Sequence, residues 1–352
     1  MNKKSNFSIA DQIFFAQKLS LLLDSNISIT ESLRIIKSID NSKKHKTFYE
    51  KLINDTEQGI SLSKSIIDSK IKLNSLLIAL IKIGEESGSI VSSLSQISKN
   101  LEKNNELKKK LISTLIYPIF IFLATIGMAL FLILYIFPKI LPLLSSLNIQ
   151  LPLMTRIVKF IYEFSISYGL FFSISVMFSF SLLAYLIKKN KYIKIRYHEI
   201  LLKTPILGLY IKIKILSSVC SIGEIILSSG RSLTEFHSFS YNSSNNLIFK
   251  DAFNKIYDQS IQGISFTNSM KLYPNLFLRI MIDMCSIGER TGNLALMFGH
   301  CSRIFEQDID LFLKRFSSLI EPVLMIFMGL IVGSIALSII LPVYEITNHL
   351  SK

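Results

Sequence analysis

Charge is what this sequence has least of. Only 18% of its 352 residues are Asp, Glu, Lys or Arg, whereas 50% are hydrophobic; soluble domains carry roughly 25% charged residues. With a mean hydropathy of +0.44, too little polar surface remains to cover a water-exposed fold, and a multi-pass membrane protein is expected. Glycine (14) and proline (8) are scarce, which argues against β-sandwiches, collagen-like chains and disordered linkers. The three cysteines, Cys220, Cys285 and Cys301, show no C-x-x-C or Cys/His ligand spacing, and are read as small apolar packing residues of a reducing compartment. Five scattered histidines, His45, His198, His237, His300 and His349, form no H-E-x-x-H pattern. Nucleophile-elbow, kinase and Walker motifs are lacking as well. No catalytic residue, cofactor or metal site follows, and the chain is not expected to be an enzyme.

What charge there is has one sign in excess: 39 Lys+Arg against 25 Asp+Glu, a net +14. The basic residues gather at the ends of three stretches free of Asp, Glu, Lys and Arg: Leu111 to Pro138, Phe164 to Ile187 and Pro322 to Tyr344. Each is long enough to cross a hydrocarbon core of about 30 Å, for which about 20 helical residues suffice. Lys108, Lys109 and Lys110 precede the first span. Lys188, Lys189, Lys191, Lys194 and Arg196 follow the second, and Lys314 and Arg315 precede the third. The positive-inside rule then puts the N-terminus in the cytoplasm and the C-terminus outside. The basic clusters are assigned to topology and to membrane lipid headgroups, not to nucleic acid.

The expected layout is all-α, with three transmembrane helices and two cytoplasmic helical bundles: a bundle over 1–110, a span over 111–138, an external loop over 139–158, a second span over 159–187, a second bundle over 188–316, a third span over 317–344 and an external tail over 345–352. The first residues, broken by Asp11, Gln12, Gln17 and Lys18, read as an amphipathic helix, not as a cleavable signal.

The two bundles are copies of one another. Gly84-Glu85-Glu86-Ser87-Gly88 recurs as Gly288-Glu289-Arg290-Thr291-Gly292, an offset of 204 residues. The same offset relates Ser28-Ile29-Thr30-Glu31 to Ser232-Leu233-Thr234-Glu235, Gly59 to Gly263, Pro118 to Pro322 and Pro138 to Pro342. One ungapped offset over that length identifies a duplication. Ser28-x-x-Glu31 and Ser232-x-x-Glu235 fit capping boxes, and Ser61 and Ser265 are expected to cap the short helices after Gly59 and Gly263. From Ser89 and from Asn293 a helix should run without a break into its span, Gly299 interrupting the second. In the motif itself, Gly88 and Gly292 suit the left-handed residue that ends a helix. Glu85 and Glu289 either contact a partner or brace the corner by pairing with a cation. Pro118 and Pro322 sit just inside the spans, where they set an angle between bundle and span. Glu321, a carboxylate beside the third span, is a functional candidate that Arg315 could pair.

These residues resemble the type II secretion system F domain family. The features that carry the likeness are the two glycine-glutamate motifs, Tyr117-Pro118, Phe137-Pro138, Leu151-Pro152-Leu153-Met154-Thr155 and Glu321-Pro322. The resemblance implies two cytoplasmic six-helix bundles on membrane helices. It implies a non-enzymatic inner-membrane platform for type II secretion, type IV pili or competence pseudopili. The implied partners are a cytoplasmic hexameric secretion or pilus-assembly ATPase, pilin or pseudopilin subunits, other inner-membrane assembly proteins and further copies of the chain as a homo-oligomer. The stretch before the first bundle is short for the secretion and pilus branches, so the branch stays open. A polytopic transporter or channel is the rival reading; it calls for ionisable groups inside the spans, and the first two charge-free stretches hold none.

Overall fold

A computed structural model of the chain describes residues 7–40, 42–69, 71, 73–145 and 152–350. Regular structure among the described residues is helical throughout. The first copy consists of α1 (Ile9–Asp24), α2 (Ile29–Ile39), α3 (Lys43–Glu57), α4 (Leu62–Asp68), α5 (Ser75–Ser87) and α6 (Ile90–Phe131). A π-helical turn (Leu132–Ile136) and α7 (Phe137–Ser145) prolong α6, and α8 (Leu153–Lys189) and α9 (Lys191–Lys203) follow. The second copy consists of α10 (Leu207–Ser228), α11 (Leu233–Ser243), α12 (Leu247–Ile261), α13 (Phe266–Lys271), α14 (Arg279–Thr291) and α15 (Leu294–Leu350).

The 204-residue offset holds for the backbone as well as for the letters. α2, α3, α5 and the start of α6 map onto α11, α12, α14 and the start of α15 without a shift. The left-handed residues map in the same way: Asn26 (φ 58°) on Gly230 (74°), Gly59 (76°) on Gly263 (85°) and Gly88 (69°) on Gly292 (70°). Each marks a chain reversal between helices, so the turn geometry was duplicated along with the apolar faces. Ser28 and Ser232 accept from the Glu31 and Glu235 amides as N-caps should. The reciprocal half of the expected capping box is not made at either. The Glu31 carboxylate turns to Arg34 and that of Glu235 to Arg231, because a guanidinium within one turn is a better partner than a neutral amide.

The chain divides into two units. The first comprises Met1–Lys109 with His198–Ile309, and so contains both helical bundles. Aromatic rings fill each: Phe7, Phe15, Phe48 and Tyr49 in the first copy, and Phe236, Phe266, Phe298, Phe249, Phe253 and Phe277 in the second. The three cysteines are buried in the second bundle as free thiols. Burial and the neighbouring Cys301 thiol hold Cys220 well above the ordinary thiol value, which keeps it protonated and inert.

The second unit, Lys110–Tyr197 with Asp310–Lys352, exposes its apolar side chains. Phe171 and Phe180 on α8 are each 75% exposed, an arrangement suited to lipid and costly in water. Among the described residues three helices are long and apolar enough to cross a membrane, in Ile90–Pro142, Leu153–Lys189 and Leu294–Ser338; the bent pair α9 and α10 would make a fourth if it counted as one span. Among the described residues the three touch at a small cluster of Ile133, Phe137, Val158 and Ile335 and at the stacked rings of Phe122 and Phe327. Beside the cluster, Thr155 Oγ1 donates to the Ser338 carbonyl at 3.0 Å. The π-helical turn directly precedes Phe137-Pro138, and the Phe137 amide reaches the Leu132 carbonyl. Pro138 has no amide to offer the preceding turn, and a widened turn accommodates the mismatch.

Two expectations are corrected here. Residues 139–158, expected as a loop, are helical up to Ser145 and again from Leu153, with Pro152 as the cap of α8; 146–151 lie outside the described residues. Gly299 does not interrupt α15. A Cβ there would meet the tip of the Glu224 side chain, so glycine leaves room for that carboxylate and does not break the helix.

Candidate functional site

The glycine-glutamate motif ends α5, and its second glycine, Gly88, closes that helix at φ 69° with open space around it. The first glycine has a separate task. A Cβ on Gly84 would stand 2.6 Å from the Ile90 Cα, and one on Gly288 would stand 3.0 Å from the Leu294 Cα. Two glycines at this spacing therefore allow the reversal and the tight approach of α5 to the start of α6. After the second motif, Asn293 accepts from the Leu296 amide and starts α15.

Among the described residues the glutamate between the glycines pairs with no cation. Both oxygens of the Glu85 carboxylate accept from backbone amides at the start of α4, those of Leu62 and Ser63, at 2.5 and 3.0 Å. Glu289 does the same for α13, accepting from the Thr267 amide at 3.3 Å. A helix N-terminus presents unpaired donors and a partial positive charge. A half-buried carboxylate satisfies both, with less loss of side-chain freedom than a lysine pair would bring. Ser61 is thereby displaced as a cap and makes no side-chain hydrogen bond to its helix, whereas Ser265 accepts from the Asn268 amide. The third motif position differs between the copies. Glu86 reaches the second bundle, where Arg231 Nη2 donates to it at 2.8 Å, and this bond holds Glu86 below the ordinary carboxylate value.

The proline positions are not equivalent. Pro118 is buried inside α6, while Pro322 and Glu321 are exposed along α15. Glu321 makes no ion pair with Arg315 among the described residues. Lys110 and Asp310 instead form the pair at the start of the second unit, at 2.9 Å.

Two histidines sit in places that sequence spacing does not reveal. His45 lies between Asp40, 2.7 Å from Nδ1, and Asp11, 3.7 Å from Nε2. Burial pushes the Asp40 carboxyl up, but the Ser42 amide and the His45 ring outweigh it, so the group lies below the ordinary carboxylate value. Burial holds the neighbouring Tyr49 hydroxyl protonated. The cluster ties α1 to α3 and presents no activated nucleophile. His237 takes the place of the fully buried Leu33 of the first copy; it is 2% exposed among Phe236, Tyr257 and Phe266. Its Nδ1 has no hydrogen-bond partner among the described residues, and burial lowers its pKa to about 4. No group of His, Cys, Asp and Glu among the described residues is arranged to hold a metal ion. The arrangement joins helices and bundles.

The chain is 24% identical to the type IV pilus assembly protein PilC of Thermus thermophilus, over 97% of this chain and 84% of that one. It is 24% identical to the type II secretion system protein F of Pseudomonas aeruginosa, over 97% and 84%. A similar likeness, 25% over 97% and 86%, links it to the protein transport protein HofC homolog of Haemophilus influenzae. The profile of the family described as "Type II secretion system (T2SS), protein F" matches residues 15–138 and again residues 225–342, so that each match takes in one motif corner, one uninterrupted helix and one span. This chain belongs to the type II secretion system protein F family.

Proposed function

We propose that the chain is the inner-membrane platform of a type II secretion or type IV pilus-like machine, coupling a cytoplasmic hexameric ATPase to the assembly of pilin or pseudopilin subunits. The observation that carries this reading is the duplicated bundle, each copy ending in a helix that continues into a membrane span. A motor gripping such a bundle has a stiff connection to the bilayer, since α6 and α15 contain no loop at which motion would be absorbed. On this reading the bundles of 1–110 and 188–316 are cytoplasmic and the residues around 146–151 and beyond 345 are external. Three spans cross at about 111–138, 159–187 and 317–344, and lipid headgroups meet the basic flanks. Other inner-membrane assembly proteins pack on the apolar outer faces of the spans.

The protein does no chemistry of its own in this scheme. The ATPase supplies the work, and Gly84, Glu85, Gly88, Gly288, Glu289 and Gly292 keep the corners rigid enough to pass it on. A transporter has less support, because the charge-free stretches of the first two spans offer no ionisable relay. The test is co-purification of the full-length, membrane-extracted protein with a secretion ATPase of its own cell, together with deletion of its gene. Capture of the ATPase and loss of fibre assembly or secretion are expected. Fibre assembly that continues without the protein, or proton-coupled solute uptake into liposomes containing it alone, would overturn the proposal.

A further inference from the structure

The stretch Leu151-Pro152-Leu153-Met154-Thr155 and the prolines Pro138 and Pro342 have no task in the platform so far. A proline inside a helix has no amide with which to bond the carbonyl four residues before it. For Pro138 that carbonyl belongs to Leu134, and for Pro342, at the 204-residue offset, to Ser338. In an apolar surrounding such a carbonyl calls for a donor from elsewhere. The two copies treat the proline differently. The first widens its own winding: Leu134 lies in the π-helical turn Leu132–Ile136, where the Phe137 amide reaches back to the Leu132 carbonyl, one residue further than in an α-helix.

The second copy keeps its α-helical winding at the matching place, and the Ser338 carbonyl accepts from another helix. Thr155 Oγ1 of α8 donates to it at 3.0 Å, and both residues are fully buried. Thr125, Ser165, Ser334 and Ser338 each turn back to a carbonyl of their own helix, three or four residues earlier, as hydroxyls in helices usually do. Pro152 is the reason that Thr155 does otherwise. It caps α8, and its carbonyl accepts from the Arg156 amide. Thr155 therefore stands in the first turn, with no earlier helical turn behind it to bond. Apolar neighbours hold the donor in place. Val158, one turn on along α8, and Ile335, one turn back along α15, share a buried cluster with Ile133 and Phe137 at the π-helical turn.

We propose that Thr155 is a positioning residue for the C-terminal end of α15. Its hydroxyl stands in for the amide that Pro342 lacks, so that the direction of the helix beyond Pro342 is set by α8 and not by α15 alone. A helix bends readily at a proline. A bond from a neighbouring helix removes that freedom only while the neighbour stays docked, whereas the widened turn of the first copy is internal and depends on no neighbour. The end of α15 therefore follows α8. The stretch from Leu151 to Thr155 and Pro342 form one device, in which the proline creates the vacancy and the threonine fills it. The inference goes beyond the platform reading and holds whichever fibre or secreted substrate is involved.

The test uses full-length protein reconstituted in lipid, with nitroxide labels at Ile157→Cys on α8 and Tyr344→Cys beyond Pro342, both exposed positions. The three native thiols are buried and stay unlabelled. Pulsed electron resonance reads the distribution of distances between the labels, and one narrow distribution is expected. Thr155→Val keeps the shape and removes the donor; it should broaden the distribution and add a second, bent population. Thr155→Ser retains a hydroxyl and should leave the distribution narrow. Pro342→Ala returns an amide to α15, so adding it to Thr155→Val should restore the narrow distribution. A narrow distribution for membrane-inserted Thr155→Val would overturn the proposal. So would broadening that Thr155→Ser shares, or broadening that persists once Pro342→Ala is added.

Discussion

At the scale of single residues, the motif glutamate is the most informative position. A charged acceptor receiving two amides from a helix start is worth more than an uncharged one. Glu85→Gln should lower the thermal stability of the detergent-solubilised protein by about 1 kcal/mol, the usual loss for a helix cap. Glu85→Ala, which leaves both amides without a carboxylate, should cost more. Gly84→Ala should be worse than either for folding, because the clash at 2.6 Å is with backbone and overpacking of this kind costs about 1–3 kcal/mol. Circular dichroism melts of the three variants would rank them; an unchanged melt for Gly84→Ala would refute the close approach of α5 and α6. His237 gives a pH signature. Its pKa is about 4 in the folded chain against an ordinary 6.5, so the unfolded state takes up the proton first. Stability is full above pH 6.5 and falls as pH drops from there toward 4, by roughly 3 kcal/mol in total. His237→Leu, which restores the residue of the first copy, should abolish that part of the acid sensitivity in melts taken from pH 7 to pH 4.5.

At the scale of elements, much could be read from the letters alone. The duplication, the helix starts at Ser28 and Ser232, the ends at Gly88 and Gly292 and the run of α6 and α15 into the spans all follow from local signals: caps, left-handed glycines and the absence of breakers. What escaped the sequence involves partners far apart along it. Glu85 caps a helix that begins 23 residues earlier, Glu86 meets an arginine 145 residues away, and nothing in the neighbourhood of His237 distinguishes a buried ring from an exposed one. The same applies to contact between spans. Thr155 bonds a carbonyl of α15 at a distance of 183 residues. Thr155→Val keeps the shape and removes that donor, and should weaken the association of the spans by about 0.6 kcal/mol, a typical value for a polar contact between membrane helices. Titration with dodecyl sulfate would measure it. The exposed pair Lys110–Asp310 is a contrasting case: Lys110→Ala should leave the same titration nearly unchanged, since such pairs contribute little in solvent.

At the scale of the whole molecule, the prediction concerns sidedness. Phosphatase or fluorescent-protein fusions should report the bundle segments near Asp40 and His237 in the cytoplasm and the stretch between Ser145 and Leu153 outside. An external report for the His237 segment would leave a cytoplasmic motor only one bundle to hold. The π-helical turn ahead of Pro138 adds a geometric consequence. Widening a single turn holds back the winding of everything after it by roughly the angle of one residue, about 100°. α15 has no such turn at the matching place. The ancestral module was thus copied faithfully in its bundles but wound out of phase in its membrane ends, and no one rotation can superpose the two spans along their full length. The two copies are twins in their bundles and two different cylinders in their apolar helices.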